Sequence, residues 1–263
     1  MSGADAMTSM TAAGASDLGP RADQEDAWFS ARRSGALLAA VCDGMGGSLC
    51  SGRTAADFVI GALARSFAEG CDAEGLARSL QAGHRELLAR AEAAKRQPLD
   101  REGTRWLAIA TTVDCALFVP GFVHLAHAGD GRIYRFAQAR LEPLTASHTA
   151  RAAVQREHAS DPPEALRARL ARIPAEIVLN LVGMPGDLNL DRVTLATTPG
   201  DVFILCSDEL YRCVTDDAIS DVVARGRTQQ AIATGLVAAA NRWPMNRKDN
   251  LTVAIHVVGG DGI

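Results

Sequence analysis

The sequence predicts one α+β domain built from short antiparallel strands and amphipathic helices. Apolar runs bounded by turn residues, such as residues 37–42 and 202–206, have the length of buried strands. Between residues 51 and 67 the apolar side chains recur every three to four positions, which indicates one face of a helix. The 263 residues contain no internal repeat and no low-complexity linker, so a single domain is the simplest organisation.

The first half of the predicted fold begins with a hairpin. Residues 27–30 and 37–42 flank an Arg-Arg-Ser-Gly turn and form its two strands. Helical periodicity follows at residues 51–67 and again at 76–95. Next come short strands separated by turn residues, which we expect to form an antiparallel meander, at about 106–119, 122–128, 131–137 and 140–144.

The second half opens with a segment that lacks a core pattern. Residues 147–176 are rich in Ala, Arg and Glu and contain two adjacent prolines, so we interpret them as a flap inserted into the domain. The elements predicted after the flap are strands at about 177–182, 190–197 and 201–206, helices near 215–224 and 228–241, and a last strand at 251–258. Residues 1–13 are small and polar and are expected to be a mobile tail, which leaves 14–263 as the domain.

Composition excludes several classes of function. A formal net charge of −4 and a pI near 5.9 give no basic surface for nucleic acid. No apolar run approaches the ~20 residues that span a bilayer, and the start does not resemble a signal peptide, so we expect a cytoplasmic protein. The six cysteines show no C-x-x-C spacing and are interpreted as reduced thiols.

Four acidic turns mark the predicted site. Three apolar runs end at Asp43, Asp130 and Asp208, and Asp249 opens the final strand. Because antiparallel strands end and begin at the same edge of a sheet, these carboxylates could converge. Clustered carboxylates repel one another unless a cation lies between them, and oxygen ligands favour Mg²⁺, Mn²⁺ or Ca²⁺ over Zn²⁺. Gly44 would let a backbone carbonyl approach such a cation.

Six sequence blocks, in this order, resemble the type-2C metal-dependent serine/threonine protein phosphatases, in particular the bacterial members. They lie between Gly14 and Val258 and read GPRADQEDAW, VCDGMGG, ATTVDCALF, HAGDGRIYRF, PGDVFILCSDELY and RKDNLTVAIHVV. The resemblance implies a four-layer αββα sandwich of two antiparallel sheets flanked by helix pairs. It also implies a monomeric enzyme that hydrolyses phosphoserine and phosphothreonine in proteins, opposing a serine/threonine kinase.

The same resemblance assigns roles to individual residues. Arg21 would bind phosphate, which suits a guanidinium fork. Asp43 would bridge two Mn²⁺ or Mg²⁺ ions that activate a water molecule, and Asp130 matches a residue of a possible third metal site. The remaining implied metal residues are Glu25, Asp26, Gly44, Asp208 and Asp249.

This chain departs from the family pattern at several positions. Gly131 stands in place of the usual Ser, Ala110 in place of Gly, and Ser147 in place of Asp. Glu209 stands where the family has Gly, and three outcomes are open for it: a strained left-handed backbone, a side chain that faces the metals, or a solvent-exposed acid in a helix. These departures leave a second class of function open, a phosphatase-fold binding module with weak or no catalysis.

Other motifs suggest weaker hypotheses. Residues 47–54 nearly match a nucleotide-binding P-loop, but Arg53 stands where that motif needs Lys. The proton for the leaving alkoxide needs a donor, and His148 is the candidate. His127 could orient Asp130, although packing is the simpler interpretation, and His84 is expected to pack at a helix edge.

Overall fold

A computed structural model describes residues 10–46, 52–95, 109–174, 176–243 and 249–259 of the chain. In these ranges the strands form two antiparallel sheets. Sheet A has the spatial order β1 (Ala13–Asp17), β11 (Leu251–Val257), β10 (Val202–Cys206), β7 (Arg132–Ala137) and β8 (Arg140–Pro143). Sheet B has the order β2 (Asp26–Arg33), β3 (Ala36–Gly46), β5 (Val113–Val119), β6 (Phe122–Ala128) and β9 (Asp191–Ala196), and β4 (Ile109–Thr111) pairs with the end of β3.

Helices cover the outer face of each sheet. Against sheet B lie α1 (Gly52–Ala68) and α2 (Ala73–Lys95), whose buried faces share one core with the sheet. Against sheet A lie α5 (Glu209–Cys213), α6 (Asp216–Arg225) and α7 (Gln229–Asn241), which share a second core. Two further helices, α3 (Ala150–Glu157) and α4 (Pro163–Leu170), belong to the flap. The predicted αββα sandwich is confirmed.

The central position of the middle strands explains why their sequences are continuously apolar. In β3 the side chains of Leu37, Ala39 and Val41 face the core between the two sheets. The alternate residues Leu38 and Ala40 face the core under the helices. Both faces of such a strand are buried, so an unbroken apolar run replaces the alternation expected of a half-exposed strand.

The predicted meander is divided between the two sheets. Strands β5 and β6 pair in sheet B, whereas β7 and β8 pair in sheet A. The chain changes sheets in the loop at residues 129–131, where Gly129 has a φ of 123° that side-chain-bearing residues rarely adopt. The Asp130 turn is therefore the crossing between the sheets, not a hairpin turn.

Three other expectations need correction. Residues 177–182 are not a strand but make two isolated bridges, Thr149 to Val178 and Thr111 to Val182. The short helix α5 was not predicted. Residues 10–13, expected to be part of a mobile tail, belong to the fold: Ala13 pairs with Ile255, and the carbonyl of Thr11 contacts His256 Nδ1 at 2.7 Å. Residues 1–9 of the expected tail lie outside the described residues.

Most of the remaining elements agree with the sequence pattern, but β1 was not predicted, and the strand expected at about 106–119 is divided into β4 and β5. The hairpin turn is at Ser34 and Gly35, with φ values of 48° and 78°. Residues 106–108 of the first meander strand and residues 47–51 of the P-loop-like segment lie outside the described ranges. None of the helices in those ranges is long and apolar enough to cross a bilayer.

Candidate active site

An acidic pocket of about 230 Å³ opens at one end of the sandwich. The strand ends and loops of both sheets contribute to it, because the sheets' antiparallel strands bring these turns to the same edge. The residues that line it are Arg21, Glu25, Asp43, Gly44, Met45, Gly46, Asp130, Glu176, Val178, Asp208, Arg212 and Asp249. The predicted acidic turns therefore converge.

Asp43 is fixed by the two threonines of the ATTVDCALF block. The backbone N–H of Asp43 donates to Thr112 Oγ1 at 2.9 Å. The carbonyl of Asp43 accepts from Thr111 Oγ1 and from the Thr112 N–H, both at 2.9 Å. Both threonines are buried, so these bonds are shielded from water. The Thr-Thr pair thus holds the backbone that presents the Asp43 carboxylate.

Asp26 lies beneath the pocket, opposite Asp43 in the β2–β3 ladder. It is 2% exposed, and its Oδ2 accepts from Ser207 Oγ at 2.9 Å. Its other oxygen, Oδ1, has no hydrogen-bond partner. A buried carboxylate oxygen without a partner is costly unless a positively charged group approaches it.

The loop that carries Arg21 and Glu25 is tied down by Asn250. The side-chain carbonyl of Asn250 accepts from the Glu25 N–H at 2.7 Å. Its amide donates to the carbonyls of Leu18 at 2.8 Å and Asp23 at 3.1 Å. Of the two neighbouring residues Asp249 and Asn250, Asp249 therefore contributes a carboxylate to the pocket, and Asn250 anchors the loop that carries Arg21 and Glu25.

Close backbone packing under the pocket requires glycine at two positions. A Cβ on Gly44 would come within 2.1 Å of the Gly52 backbone, and a Cβ on Gly52 equally close to Gly44. The start of α1 thus packs directly on the strand end that carries Asp43. The Glu25 carboxylate closes this corner by accepting from the Gly52 N–H at 2.5 Å.

Glu209 is buried, not solvent-exposed. It is 1% exposed and begins α5, without the left-handed backbone that one hypothesis required. Its Oε1 accepts from the Asp249 N–H at 3.3 Å and from Cys213 Sγ at 3.5 Å. Glu209 lies behind Asp249 and is not one of the residues that line the pocket, so within the described structure it supports a pocket carboxylate through its backbone.

The pocket carboxylates destabilise one another's charge. Burial raises the pKa of Asp43 well above its usual range, and repulsion from Asp26, Asp208, Asp130 and Asp249 raises it further. Burial and Asp130 likewise raise the pKa of Asp208. Burial raises the pKa of Asp26 to about 6. Such a cluster favours any bound positive charge.

The donor set fits hard divalent cations. Every candidate ligand is an oxygen, and the unpartnered Asp26 Oδ1 lies next to the cluster. In the described ranges no three acidic, His or Cys side chains are already arranged as ligands to one ion. Instead, two arginines pair with the carboxylates: Arg21 Nη2 lies 2.5 Å from Asp249 Oδ2, and Arg212 Nη2 lies 2.6 Å from Asp208 Oδ2.

The structure keeps His148 outside the pocket. Its Nε2 lies 3.1 Å from Asp191 Oδ2. Its Nδ1 lies 2.8 Å from Asn180 Nδ2 and accepts from the Gly129 N–H at 3.3 Å. With both ring nitrogens engaged, His148 ties the base of the flap to the crossing loop and is not placed to protonate a leaving group in the pocket.

The other two histidines also hold the scaffold. His127 does not orient Asp130: its Nδ1 lies 2.8 Å from Oδ1 of the fully buried Asp114. His84 is buried, as expected, and its ring contacts the carbonyl of Gly186 at 2.9 Å and accepts from the Gly183 N–H at 3.1 Å.

Several site residues were missed by sequence reasoning. Arg212 lines the pocket, but it lies just outside the sequence block that contains Asp208. Its spacing of four residues from Asp208 on a helix was the signal that could have identified it. The supporting roles of Thr111, Thr112, Ser207 and Asn250 follow from hydrogen bonds that sequence spacing does not show.

Clustered carboxylates with arginines beside them, at one end of a four-layer αββα sandwich, define the class of the protein: a phosphatase. Residues 13–225 match the family model described as Protein phosphatase 2C. The chain therefore belongs to the protein phosphatase 2C family and is a serine/threonine protein phosphatase.

Two known proteins, one of them also as a crystal structure, illustrate the relationship. The serine/threonine phosphatase stp of Listeria monocytogenes (strain EGD-e) is 25% identical over 228 residues, which cover 82% of each chain. The serine/threonine protein phosphatase PstP of Mycobacterium tuberculosis is 30% identical over 238 residues, 89% of this chain and 42% of that protein. The crystal structure of the PstP catalytic domain in complex with 2 manganese ions superposes with a TM-score of 0.76 at 25% identity, covering 95% of this chain and 98% of that one.

Proposed function

We propose that this phosphatase depends on two divalent cations, Mn²⁺ or Mg²⁺, held by oxygen ligands in the acidic pocket. The observation that carries the proposal is the convergence of Asp43, Asp208 and Asp249 on one pocket, in which the pKa of Asp43 and of Asp208 is raised by burial and by neighbouring carboxylates. A chain without use for cations gains nothing from such repulsion. The manganese ions in the PstP crystal structure support the same proposal.

The residues that would hold the cations are those whose oxygens face the pocket. Sheet B and its loops contribute Asp43, Gly44 and Glu25 to the pocket lining, and the ends of sheet A strands contribute Asp208 and Asp249. When bound, the cations would lower the pKa of a water molecule to generate the nucleophile and would neutralise charge on the phosphate.

Arg21 would bind the phosphate group. Its side chain is 49% exposed and lies at the pocket rim, on the loop anchored by Asn250. In its contact with Asp249 the two side chains are 49% and 31% exposed, and ion pairs of this kind contribute little to stability. A guanidinium fork can donate two hydrogen bonds to two phosphate oxygens.

The substrates we propose are phosphoserine and phosphothreonine side chains of proteins modified by a serine/threonine kinase. The pocket opens at one end of the sandwich, where a side chain presented on an accessible segment of another protein can reach it. The described relatives, stp and PstP, carry the names of serine/threonine phosphatases.

The test is hydrolysis of a phosphothreonine peptide with and without Mn²⁺. We expect no turnover in excess chelator and recovery on adding Mn²⁺. Asp43→Asn, Asp208→Asn and Asp249→Asn should each lower kcat by several orders of magnitude, because each removes a cation ligand. Asp221→Asn, which changes an exposed carboxylate on α6, is the matched control and should leave kcat unchanged. Full activity in chelator would refute metal dependence.

A further inference from the structure

Arg212 contacts two pocket carboxylates at once. It lies in the last turn of α5, four residues after Asp208, so both side chains are on the same face of that helix. Its Nη2 is 2.6 Å from Asp208 Oδ2 and 3.6 Å from Asp130 Oδ2. Asp130 comes from the loop in which the chain changes sheets, and Asp208 from the end of β10. One guanidinium therefore spans the junction of the two sheets.

The burial of its carboxylates distinguishes this ion pair from an exposed pair of the same sequence spacing. The i,i+4 pair Arg225–Asp221 on α6 has the same atoms in contact at 3.0 Å, but its side chains are 79% and 68% exposed. In the Arg212 pair the carboxylates of Asp208 and Asp130 are only 7% and 6% exposed. Exposed pairs contribute little, whereas a positive charge beside two neighbouring buried carboxylates compensates for their repulsion.

The residue before Arg212 strengthens the arrangement. Tyr211 Oη donates to the carbonyl of Asp130 at 2.6 Å. Consecutive residues of α5 thus hold the Asp130 backbone and the Asp130 side chain. The crossing loop is docked on α5 in a fixed position, so the contact between Arg212 and Asp130 does not depend on a mobile segment.

We propose that the guanidinium of Arg212 is a built-in cation for the Asp130–Asp208 pair, so that divalent cations bind this chain only on the Asp43 and Asp249 side of Asp208. A guanidinium stays protonated at any pH at which the protein is folded, so its charge is permanent. A divalent ion between Asp130 and Asp208 would lie beside this charge and be repelled by it. The inference rests on the proposed metal centre and limits it to two ions.

The test is the Mn²⁺ stoichiometry, measured by isothermal titration calorimetry and by the electron paramagnetic resonance signal of free Mn²⁺. We expect the unmodified protein to bind two ions. Arg212→Gln, which removes the charge and keeps most of the volume, should bind a third. Arg212→Lys should bind two again, because an ammonium restores the charge. Arg225→Gln is the matched control and should also bind two.

A second substitution locates the extra ion. Asp130→Asn in the Arg212→Gln background should return the stoichiometry to two, because the new site loses a ligand. Circular dichroism melting curves of each variant show that it is folded before titration.

The inference is overturned if the unmodified protein binds three ions, if Arg212→Gln still binds two, or if Asp130→Asn leaves a third ion in place. Failure of the metal centre itself looks different: the unmodified protein would bind no Mn²⁺ and would hydrolyse phosphopeptide in excess chelator.

Discussion

The carboxylate of Asp114 fills the space that a side chain at Gly131 would need. A Cβ built on Gly131 would lie 1.8 Å from Oδ2 of Asp114, far inside van der Waals contact. Asp114 is fully buried and pairs with His127 through its other oxygen. Burial lowers the pKa of His127, but the charge and hydrogen bond of Asp114, together with Asp191 and the Ala146 carbonyl, raise it by more, so the pKa is raised overall. Gly131, a departure from the family pattern, is thus explained by the carboxylate that fills the neighbouring space.

This fit predicts a non-additive pair of substitutions. Gly131→Ser should destabilise the fold by about 1–3 kcal/mol, because overpacking a rigid interior forces neighbours to shift. Gly131→Ser combined with Asp114→Ala should recover part of that loss, since the clashing oxygen is gone. Urea unfolding of both variants and of Asp114→Ala measures the coupling. Purely additive free energies of unfolding would contradict the contact.

The sequence predicted the acidic residues of the site better than the residues that hold them in place. Asp43, Asp130 and Asp208 each follow an apolar run, and buried strands ending at one edge place such residues together. The role of Glu209 could not be predicted, because it depends on a five-residue helix whose length is below what periodicity detects. The sequence offers His148 as the proton donor, and only the positions of Asn180 and Asp191 in the structure show that its ring is engaged elsewhere.

At the scale of elements, the flap differs from every other helical part of the described structure. Neither α3 nor α4 contains a buried residue. By contrast α7 buries six residues, including Ile232 and Leu236. Tertiary packing supplies most of the stability of short helices, so the flap helices are held weakly.

We therefore expect backbone amides of α3 and α4 to exchange with deuterium at least about 100-fold faster than those of α7, through local opening of the flap. Hydrogen exchange followed by mass spectrometry measures this directly. Amides of β10 and β11, at the centre of sheet A, are the internal reference for global unfolding. Equal protection of the flap and α7 would show that the flap is packed in a way its burial does not indicate.

The sequence predicted the strands best where both faces of the strand are buried. It predicted them worst where neither face is buried. The residues around Ile177 and Leu179 have β-forming side chains, but these two are 41% and 50% exposed, and the segment makes only isolated bridges. Local propensity does not establish a strand without a partner to complete its hydrogen bonds. The division of the strands between two sheets could not be predicted either, because the alternation of residues within a strand does not indicate which strand pairs with it.

At the scale of the whole molecule, charge repulsion within the active site lowers the stability of the metal-free protein. Asp43, Asp26 and Asp208 repel one another at the junction of two otherwise apolar layers. Binding of a positive charge there is favourable because it relieves the repulsion among carboxylates that the folded protein already contains. Function and stability of the metal-free protein are expected to change in opposite directions at these positions.

Asp43→Asn should accordingly raise the Tm of the metal-free protein while abolishing turnover. Relief of about 1 kcal/mol corresponds to roughly 2–4 °C for a domain of this size. Mn²⁺ at 100 times its Kd should stabilise the unmodified protein by about 2.7 kcal/mol and the variant much less. Differential scanning calorimetry in chelator and in Mn²⁺ would show the order of the two Tm values reverse. A variant less stable than the parent in chelator would count against the repulsion.

The close fit between Asp114 and Gly131 also constrains how a sequence such as this one can arise. A serine at 131 and a carboxylate at 114 cannot occupy the buried space together, so a chain that begins with the serine must lose it before or with the gain of Asp114. Glycine at 131 tolerates either neighbour and is the permissive intermediate. Once Asp114 and His127 have paired, the serine cannot return by a single substitution without loss of stability. The two positions, 17 residues apart, are thus coupled, and restoring the serine at 131 while Asp114 is present is the change that selection would remove.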